Sequence, residues 1–251
     1  MIHSFLLIGQ SNAAGRGFFN EAEPLDTMGG RLKAMRNGLW LNMFRPVNPD
    51  RPFSGTCLAE SFAKEYALAH SEAEVGIIPC ADGGTQLSQW MPGEILFDNA
   101  VNCAKLAMRS SSLKGILWHQ GESDCSAEKI AVYAQNFEIM INTLRQELGM
   151  PDLPVIVGGL GDYLANFSSP DIQNGYQLIN QVLEKSSNDL PNCAFAPATG
   201  LSGNPDNLHF SAAALKDFGI RYYKAYETLE KADDGSEISP VSTERTALEQ
   251  L

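Results

Sequence analysis

Four short stretches carry side chains suited to acyl transfer. In Gly9-Gln10-Ser11-Asn12-Ala13-Ala14-Gly15, a serine sits on a tight turn directly after an apolar run. Such a turn raises the hydroxyl into a cleft. The backbone N–H groups that open the next helix point at the same spot, where an oxyanion would develop. A helix N-cap serine would explain that stretch alone equally well. A dinucleotide fingerprint would not, because Gly15-Arg16-Gly17 is followed by Asn20 where a third glycine is needed, and no Gly-Lys-Ser/Thr follows.

The second stretch, Pro79-Cys80-Ala81-Asp82-Gly83-Gly84-Thr85, offers paired glycines that let a backbone amide approach a ligand closely. Cys80 there is a rival nucleophile, but a cysteine at the end of an apolar run reads first as buried. The third, Trp118-His119-Gln120-Gly121-Glu122-Ser123-Asp124, supplies a carboxamide donor in Gln120 and two acids, Glu122 and Asp124, able to hold neighbours in place. The fourth is Asp206-Asn207-Leu208-His209. With the acid three residues ahead, its carboxylate can fold back onto His209 Nδ1, fix the tautomer and leave Nε2 to take a serine proton. His3, at a strand start, His70, at a helix end among acids, and His119 make poorer bases. Together, a serine, two oxyanion elements and an Asp–His pair make up the set that acyl transfer needs.

The elements that must position these residues alternate along the chain. Near-continuous apolar runs at Ser4 to Ile8, Val75 to Cys80, Gly115 to His119, Pro154 to Gly158 and Cys193 to Pro197 read as buried strands. Helical patterns occupy about 57–70, 96–110, 127–148, 171–186 and 211–231. In the last, Ser211 serves as N-cap, and Leu215, Phe218, Tyr222, Tyr226 and Leu229 recur at steps of three and four. Five alternations predict an α/β fold, a single-domain three-layer sandwich with a five-stranded parallel sheet and its ligand site beyond the carboxyl ends of the strands. All four stretches fall there.

Residues 17–56 form a long connection rich in Gly, Pro and Arg, read as an insertion that makes a wall or lid. Its Arg31, Arg36, Arg45 and Arg51 read mainly as solvated charges, or as bidentate partners for a ligand carboxylate. A single catalytic domain is expected to span 1–231, with 232–251 a polar, frayed tail.

Composition bounds the partners. The 251 residues are 19% charged and 44% hydrophobic, an ordinary globular balance, with a net charge of 18 − 30 = −12. So acidic a surface repels phosphate backbones and anionic lipid, which argues against nucleic acid and membrane partners. No apolar run approaches the ~20 residues of a membrane span. The five cysteines are odd in number and show no CxxC, against both a disulfide framework and a zinc site. The four histidines lack metal-ligand spacing, so no metal or cofactor is expected. The first residues, Met-Ile-His-Ser-Phe-Leu-Leu-Ile, lack a basic n-region and read as the first strand of a cytoplasmic protein.

Taken together, Gly9-Gln10-Ser11-Asn12-Ala13-x-Gly15, Gly83-Gly84-Thr85, His119-Gln120-Gly121-Glu122-Ser123-Asp124 and Asp206-x-x-His209 resemble the carbohydrate acetylesterases of the SGNH-hydrolase superfamily. The similarity is strongest to the branch holding sialic-acid 9-O-acetylesterases and acetylxylan esterases, carbohydrate esterase family 6. It runs in order over residues 3 to about 225, with Arg36-Asn37-Gly38-x-Trp40 and Leu58-Ala59-x-Ser61-Phe62-Ala63-Lys64 also alike. Within it, Gly-Gln-Ser replaces the broader superfamily's Gly-Asp-Ser, and Gln120 stands where Asn is usual.

The resemblance implies a flavodoxin-like fold. Ser11 would be the nucleophile, His209 the base and Asp206 its orienting acid. The Ser11 and Gly84 amides and the Gln120 side chain would form the oxyanion hole, with Gln10, Asn12 and Glu122 supporting. Glu122 has two readings: a support for Gln120 and the nucleophile turn, or a competitor of Asp206 for the histidine. The implied reaction removes O-acetyl groups from a small acetylated sugar or oligosaccharide. A lipid or thioester esterase on the same scaffold and a non-catalytic glycan-binding protein are the alternatives.

Overall fold

The computed structural model describes residues 1–233. The tail expected over 232–251 therefore lies, past Asp233, outside the described residues. Seven strands form one sheet: β1 (Ile2–Gly9), β2 (Leu32–Arg36), β3 (Leu39–Asn42), β4 (Glu74–Pro79), β5 (Ser111–His119), β6 (Val155–Gly158) and β7 (Cys193–Ala196). Their order is β3-β2-β4-β1-β5-β6-β7, and every pairing except β2 with β3 is parallel. The helices are α1 (Ser11–Ala14), α2 (Leu58–Ala69), α3 (Ile95–Ala107), α4 (Ala127–Leu148), α5 (Pro170–Asp189) and α6 (Ala212–Asp233). None of them is long and apolar enough to cross a membrane.

The alternation of β1 builds both faces of the sandwich. Phe5 and Leu7 point into a core with Phe62 and Tyr66 of α2 and Phe218 and Tyr222 of α6. Leu6 and Ile8 point to the opposite core, with Phe97 of α3, Phe137 of α4 and Ile179 of α5. A strand buried on both faces has no room for polar alternation, which is why these runs read as continuously apolar. The expected face of α6 is also the observed one: Leu215, Phe218, Tyr222 and Tyr226 are buried, and Ser211 Oγ accepts the Ala214 N–H at 3.2 Å.

The sheet has seven strands where five were expected, because the 17–56 connection carries the other two. Asn37 and Gly38, at φ +50° and +78°, form a two-residue turn with left-handed backbone at both positions. That geometry matches the twist of paired strands and closes a hairpin in register Arg36↔Leu39, Met35↔Trp40. Leu32 and Ala34 are buried where β2 pairs with β4.

The insertion's arginines are not solvated charges. Arg31 donates to the Ala67, His70 and Ala73 carbonyls that end α2, and Arg36 donates to the Pro46 carbonyl. Arg45 pairs with Glu60, and Arg51 with Asp82. Arg31 and Arg45 hold the insertion to α2, Arg36 ties it to itself, and Arg51 joins it to the loop after β4.

Candidate active site

The turn that carries Ser11 follows from steric necessity at Gly9. Its φ is +124°, and a Cβ there would lie 2.0 Å from the His119 carbonyl oxygen, so the strand can leave β5 so closely only as glycine. Gln10 N–H donates to that carbonyl at 2.9 Å, and the Gln10 carbonyl accepts from Ala13 and Ala14 to wind the single turn of α1. Ser11 therefore stands at the carboxyl end of the central strand, its side chain facing the last loop.

That loop is folded by one carboxylate. Asp206 Oδ1 accepts the Leu208 and His209 N–H groups at 2.9 and 3.0 Å, and Oδ2 meets His209 Nδ1 at 2.7 Å. Asn207 between them takes φ +53°, a conformation asparagine tolerates. Partial burial pushes the Asp206 carboxyl up, but the His209 ring and these two amides outweigh it and hold the group below its ordinary value. An ionised Asp206 requires the proton on Nδ1, so His209 Nε2 is the acceptor for Ser11 Oγ, 3.0 Å away.

Opposite the serine lies the Gly83–Gly84 turn. Gly84 has φ +80°, and neither its N–H nor that of Ser11 has an acceptor among the described residues. Gly83 is forced by crowding: a Cβ would fall 2.4 Å from Arg16 Nη2, 2.8 Å from Asp50 Oδ2 and 3.5 Å from Ser11 Cβ. Behind it, Arg16 and Asp50 form a buried two-pronged ion pair, Nη1–Oδ1 3.0 Å and Nη2–Oδ2 2.6 Å. Asp50 also accepts the Gly83 N–H at 2.8 Å and the Ser54 hydroxyl at 2.7 Å. Burial raises the Asp50 carboxyl, and these partners more than offset it, leaving it below the ordinary value.

Replacing Asp50 with Asn keeps the shape but strands Arg16 as an uncompensated buried charge, expected to cost about 3–5 kcal/mol. In a chain of this length that lowers Tm by on the order of 10 °C. Since the native carboxyl lies below its unfolded value, its stabilising contribution is complete above the ordinary carboxylate range. It is lost as pH falls through the native value, so the gap in Tm between wild type and variant should narrow in acid. Thermal melts across pH check both points; a variant melting with wild type at neutral pH would contradict them.

Gln120 is placed differently from the expectation for an oxyanion donor. It is fully buried, and its Nε2 faces Gln10 Oε1 at 3.1 Å, the Thr85 carbonyl at 3.0 Å and Asp124 Oδ2 at 2.5 Å. Its own carbonyl accepts the Tyr133 hydroxyl at 2.8 Å. Two N–H groups facing three acceptors leave no donor for the cleft. Gln120 thus ties the strand-end turns together, holding Gln10, whose Oε1 also accepts the Gly121 and Ser123 amides, and the Thr85 carbonyl beside Gly84.

Glu122 does not reach His209. Its Oε1 accepts Asn12 Nδ2 at 2.5 Å and lies 3.2 Å from His119 Nε2, wholly buried. Asn12 then grips both sides of His209: Nδ2 donates to the Leu208 carbonyl at 3.2 Å, and Oδ1 accepts the Phe210 N–H at 3.1 Å. We expect Asn12→Ala to lower kcat on the order of 10²-fold through misplacement of the ring, with KM little changed. Steady-state kinetics on the folded variant decide it, and an unchanged kcat would contradict the clamp.

Arg16, Asp50, Asn48 and Tyr133 escaped sequence reasoning. Asn48 bonds both the N–H and the carbonyl of Ala81, at 2.9 Å each. Their contacts join residues about 30 or more apart, or pass through a helix, and no local spacing signals them. Only the adjacency of Arg16 to the Gly15 turn offered a hint.

A doubly wound sheet with Ser11, His209 and Asp206 in line at its carboxyl end is the arrangement that an α/β ester hydrolase needs. Residues 1–228 match the family model for carbohydrate esterase, sialic acid-specific acetylesterase, and the chain belongs to that family. A probable carbohydrate esterase of Arabidopsis thaliana is 28% identical over 246 residues, 88% of this chain and 89% of that one. Its X-ray structure superposes with a TM-score of 0.78 at 26% identity, covering 90% of this chain and 98% of the other. The carbohydrate acetylesterase XAC1771 of Xanthomonas citri shares the fold, with TM-score 0.67, 21% identity, and coverage of 92% of this chain and 57% of that one. NanS does so as well, with TM-score 0.71, 18% identity, and 92% and 98% coverage.

Proposed function

We propose that this carbohydrate esterase removes O-acetyl groups from a small acetylated sugar through a Ser-His-Asp acyl-enzyme mechanism. The observation that carries the reading is the unbroken line Ser11 Oγ–His209 Nε2, His209 Nδ1–Asp206 Oδ2, at 3.0 and 2.7 Å. Ser11 attacks the acetyl carbonyl as His209 Nε2 takes its proton. Asp206 holds the imidazole in place and stabilises the imidazolium. The open Ser11 and Gly84 N–H groups receive the oxyanion, a contribution on the order of 10²–10³ in rate for each donor. His209 then returns the proton to the departing sugar oxygen, and water, activated by the same nitrogen, releases acetate.

The family description favours O-acetylated sialic acid as the first substrate to try, and the resemblance to acetylxylan esterases makes acetylated xylo-oligosaccharide the second. A sugar carboxylate would have to compete for Arg51, whose guanidinium already serves Asp82 and the Gly83 carbonyl. Acetate release from both sugars, from an aryl acetate and from long-chain and thioester donors tests the reading. Turnover of an acetylated sugar at a kcat/KM well above that of the long-chain and thioester donors is expected. Preference for a long acyl chain or a thioester would overturn it.

A further inference from the structure

Phe53 is the most exposed aromatic residue among the described residues, at 70%. It nevertheless sits on a tightly fastened turn. Arg51-Pro52-Phe53-Ser54 is closed by the Ser54 N–H on the Arg51 carbonyl at 3.0 Å, with Pro52 presetting the backbone at the second position. The Ser54 hydroxyl accepts the Arg51 N–H at 3.0 Å and donates to Asp50 Oδ1 at 2.7 Å. Asp50 and Arg51 then tie this turn to the Gly83–Gly84 turn. Arg51 Nη2 donates to the Gly83 carbonyl at 3.0 Å, Arg51 Nη1 donates to Asp82 Oδ1 at 2.6 Å, and Asp50 Oδ2 accepts the Gly83 N–H at 2.8 Å.

Arg16 completes the placement. Its guanidinium carbon lies over the Phe53 ring, 5.3 Å from the centroid. On the other side of Arg16 stands Gly83, where a Cβ would fall 2.4 Å from Nη2 and 3.5 Å from Ser11 Cβ. Ser11, Gly83, Arg16 and Phe53 therefore follow one another across one wall of the cleft. One face of the Phe53 ring is taken by Arg16, and the other is open to solvent. Scattered apolar side chains on a surface need no explanation. A ring held by hydrogen bonds beside the turn that faces Ser11 is a built feature.

We infer that Phe53 is a specificity-determining residue, whose open ring face receives the apolar face of the pyranose that carries the acetyl group. The inference rests on the function proposed above and extends it to the part of the substrate beyond the ester. A pyranose presents C–H groups on its ring face and hydroxyls around its edge. Those hydrogens carry slight positive charge, and the face of an aromatic ring is negative. Stacking removes apolar surface of both partners from water and leaves the hydroxyls solvated. Because the 51–54 turn is already ordered, the contact costs little further loss of freedom. An ester of a small alcohol has no such face to offer, so the ring favours acetylated sugars over simple acetates.

Acetate release from O-acetylated sialic acid, acetylated xylo-oligosaccharide and ethyl acetate tests this. The readout is the ratio of kcat/KM on the preferred acetylated sugar to kcat/KM on ethyl acetate. Phe53→Ala should lower that ratio about tenfold, chiefly through a higher KM for the sugar. Phe53→Trp, which keeps an aromatic face, should hold the ratio within about threefold of wild type. A merely structural role, such as covering Arg16, would slow both esters together and leave the ratio in place. A drop of less than about threefold in Phe53→Ala, or a Phe53→Leu ratio equal to that of Phe53→Trp, would overturn the inference and leave the proposed function standing. Wild type that prefers neither acetylated sugar to ethyl acetate would overturn the proposed function, and this inference with it.

Discussion

Ser11→Ala should leave a folded protein whose kcat on an acetylated sugar falls by about 10⁶, to the residual rate that binding and two amide donors supply alone. Position makes Ser11 the attacking group. Ser11 Oγ is the hydroxyl within 3.0 Å of His209 Nε2, and the Gly84 N–H that would receive the oxyanion stands open on the facing turn. Removing one oxygen from a side chain whose α1 turn is held by backbone bonds costs little structure. Thermal melting should therefore match wild type while turnover disappears. Activity within about tenfold of wild type would mean another group attacks the ester. Cys80, the remaining nucleophile type at a strand end, is a poor substitute because its thiol is buried and raised.

Asp206→Asn should cost about 10³–10⁴ in kcat with KM largely kept. The variant keeps an oxygen for the Leu208 and His209 amides, so the loop still folds. What changes is the partner of Nδ1. A carboxamide N–H facing it makes Nδ1 an acceptor, moves the ring proton to Nε2 and turns the group that should accept from Ser11 into a donor. The half-exposed Asp206 side chain lets water relieve part of this, so the loss is smaller than for Ser11. The native carboxyl also sits below its ordinary value. Its contribution to the folded loop is thus present in full above the ordinary carboxylate range and lost as pH falls through the native value. A loss under tenfold would show that His209 works as one half of a dyad.

The legible parts of this molecule were those written in local pattern. Runs such as Phe5 to Ile8 are apolar because both faces of the central strands are covered, and α6 repeats its apolar face at helical spacing. Asp206 and His209 are close because one Asx-type turn spans them, a contact that sequence distance already makes short. The β2–β3 hairpin was also written locally, in Asn37-Gly38, but the surrounding Gly, Pro and Arg made the segment read as loop.

Gln120 was misplaced for a different reason. A carboxamide at a strand end has donors to offer. Whether they face the cleft depends on Asp124, Gln10 and Thr85, three acceptors brought in from separate elements. The arginines of the insertion follow the same rule: charge is visible in sequence, but the carbonyls and carboxylates that consume it are assembled only by the fold.

In the mechanism proposed above, acyl transfer passes through Ser11. An aryl acetate mixed with the enzyme at comparable concentration, followed by rapid acid quench and peptide mass mapping, measures it, with His209→Ala as the control in which acylation and deacylation are both slow. The expected result is a burst of phenolate no larger than the enzyme concentration and one acetyl group on the peptide bearing Ser11. No burst in wild type, or acetyl on any other residue, would contradict it.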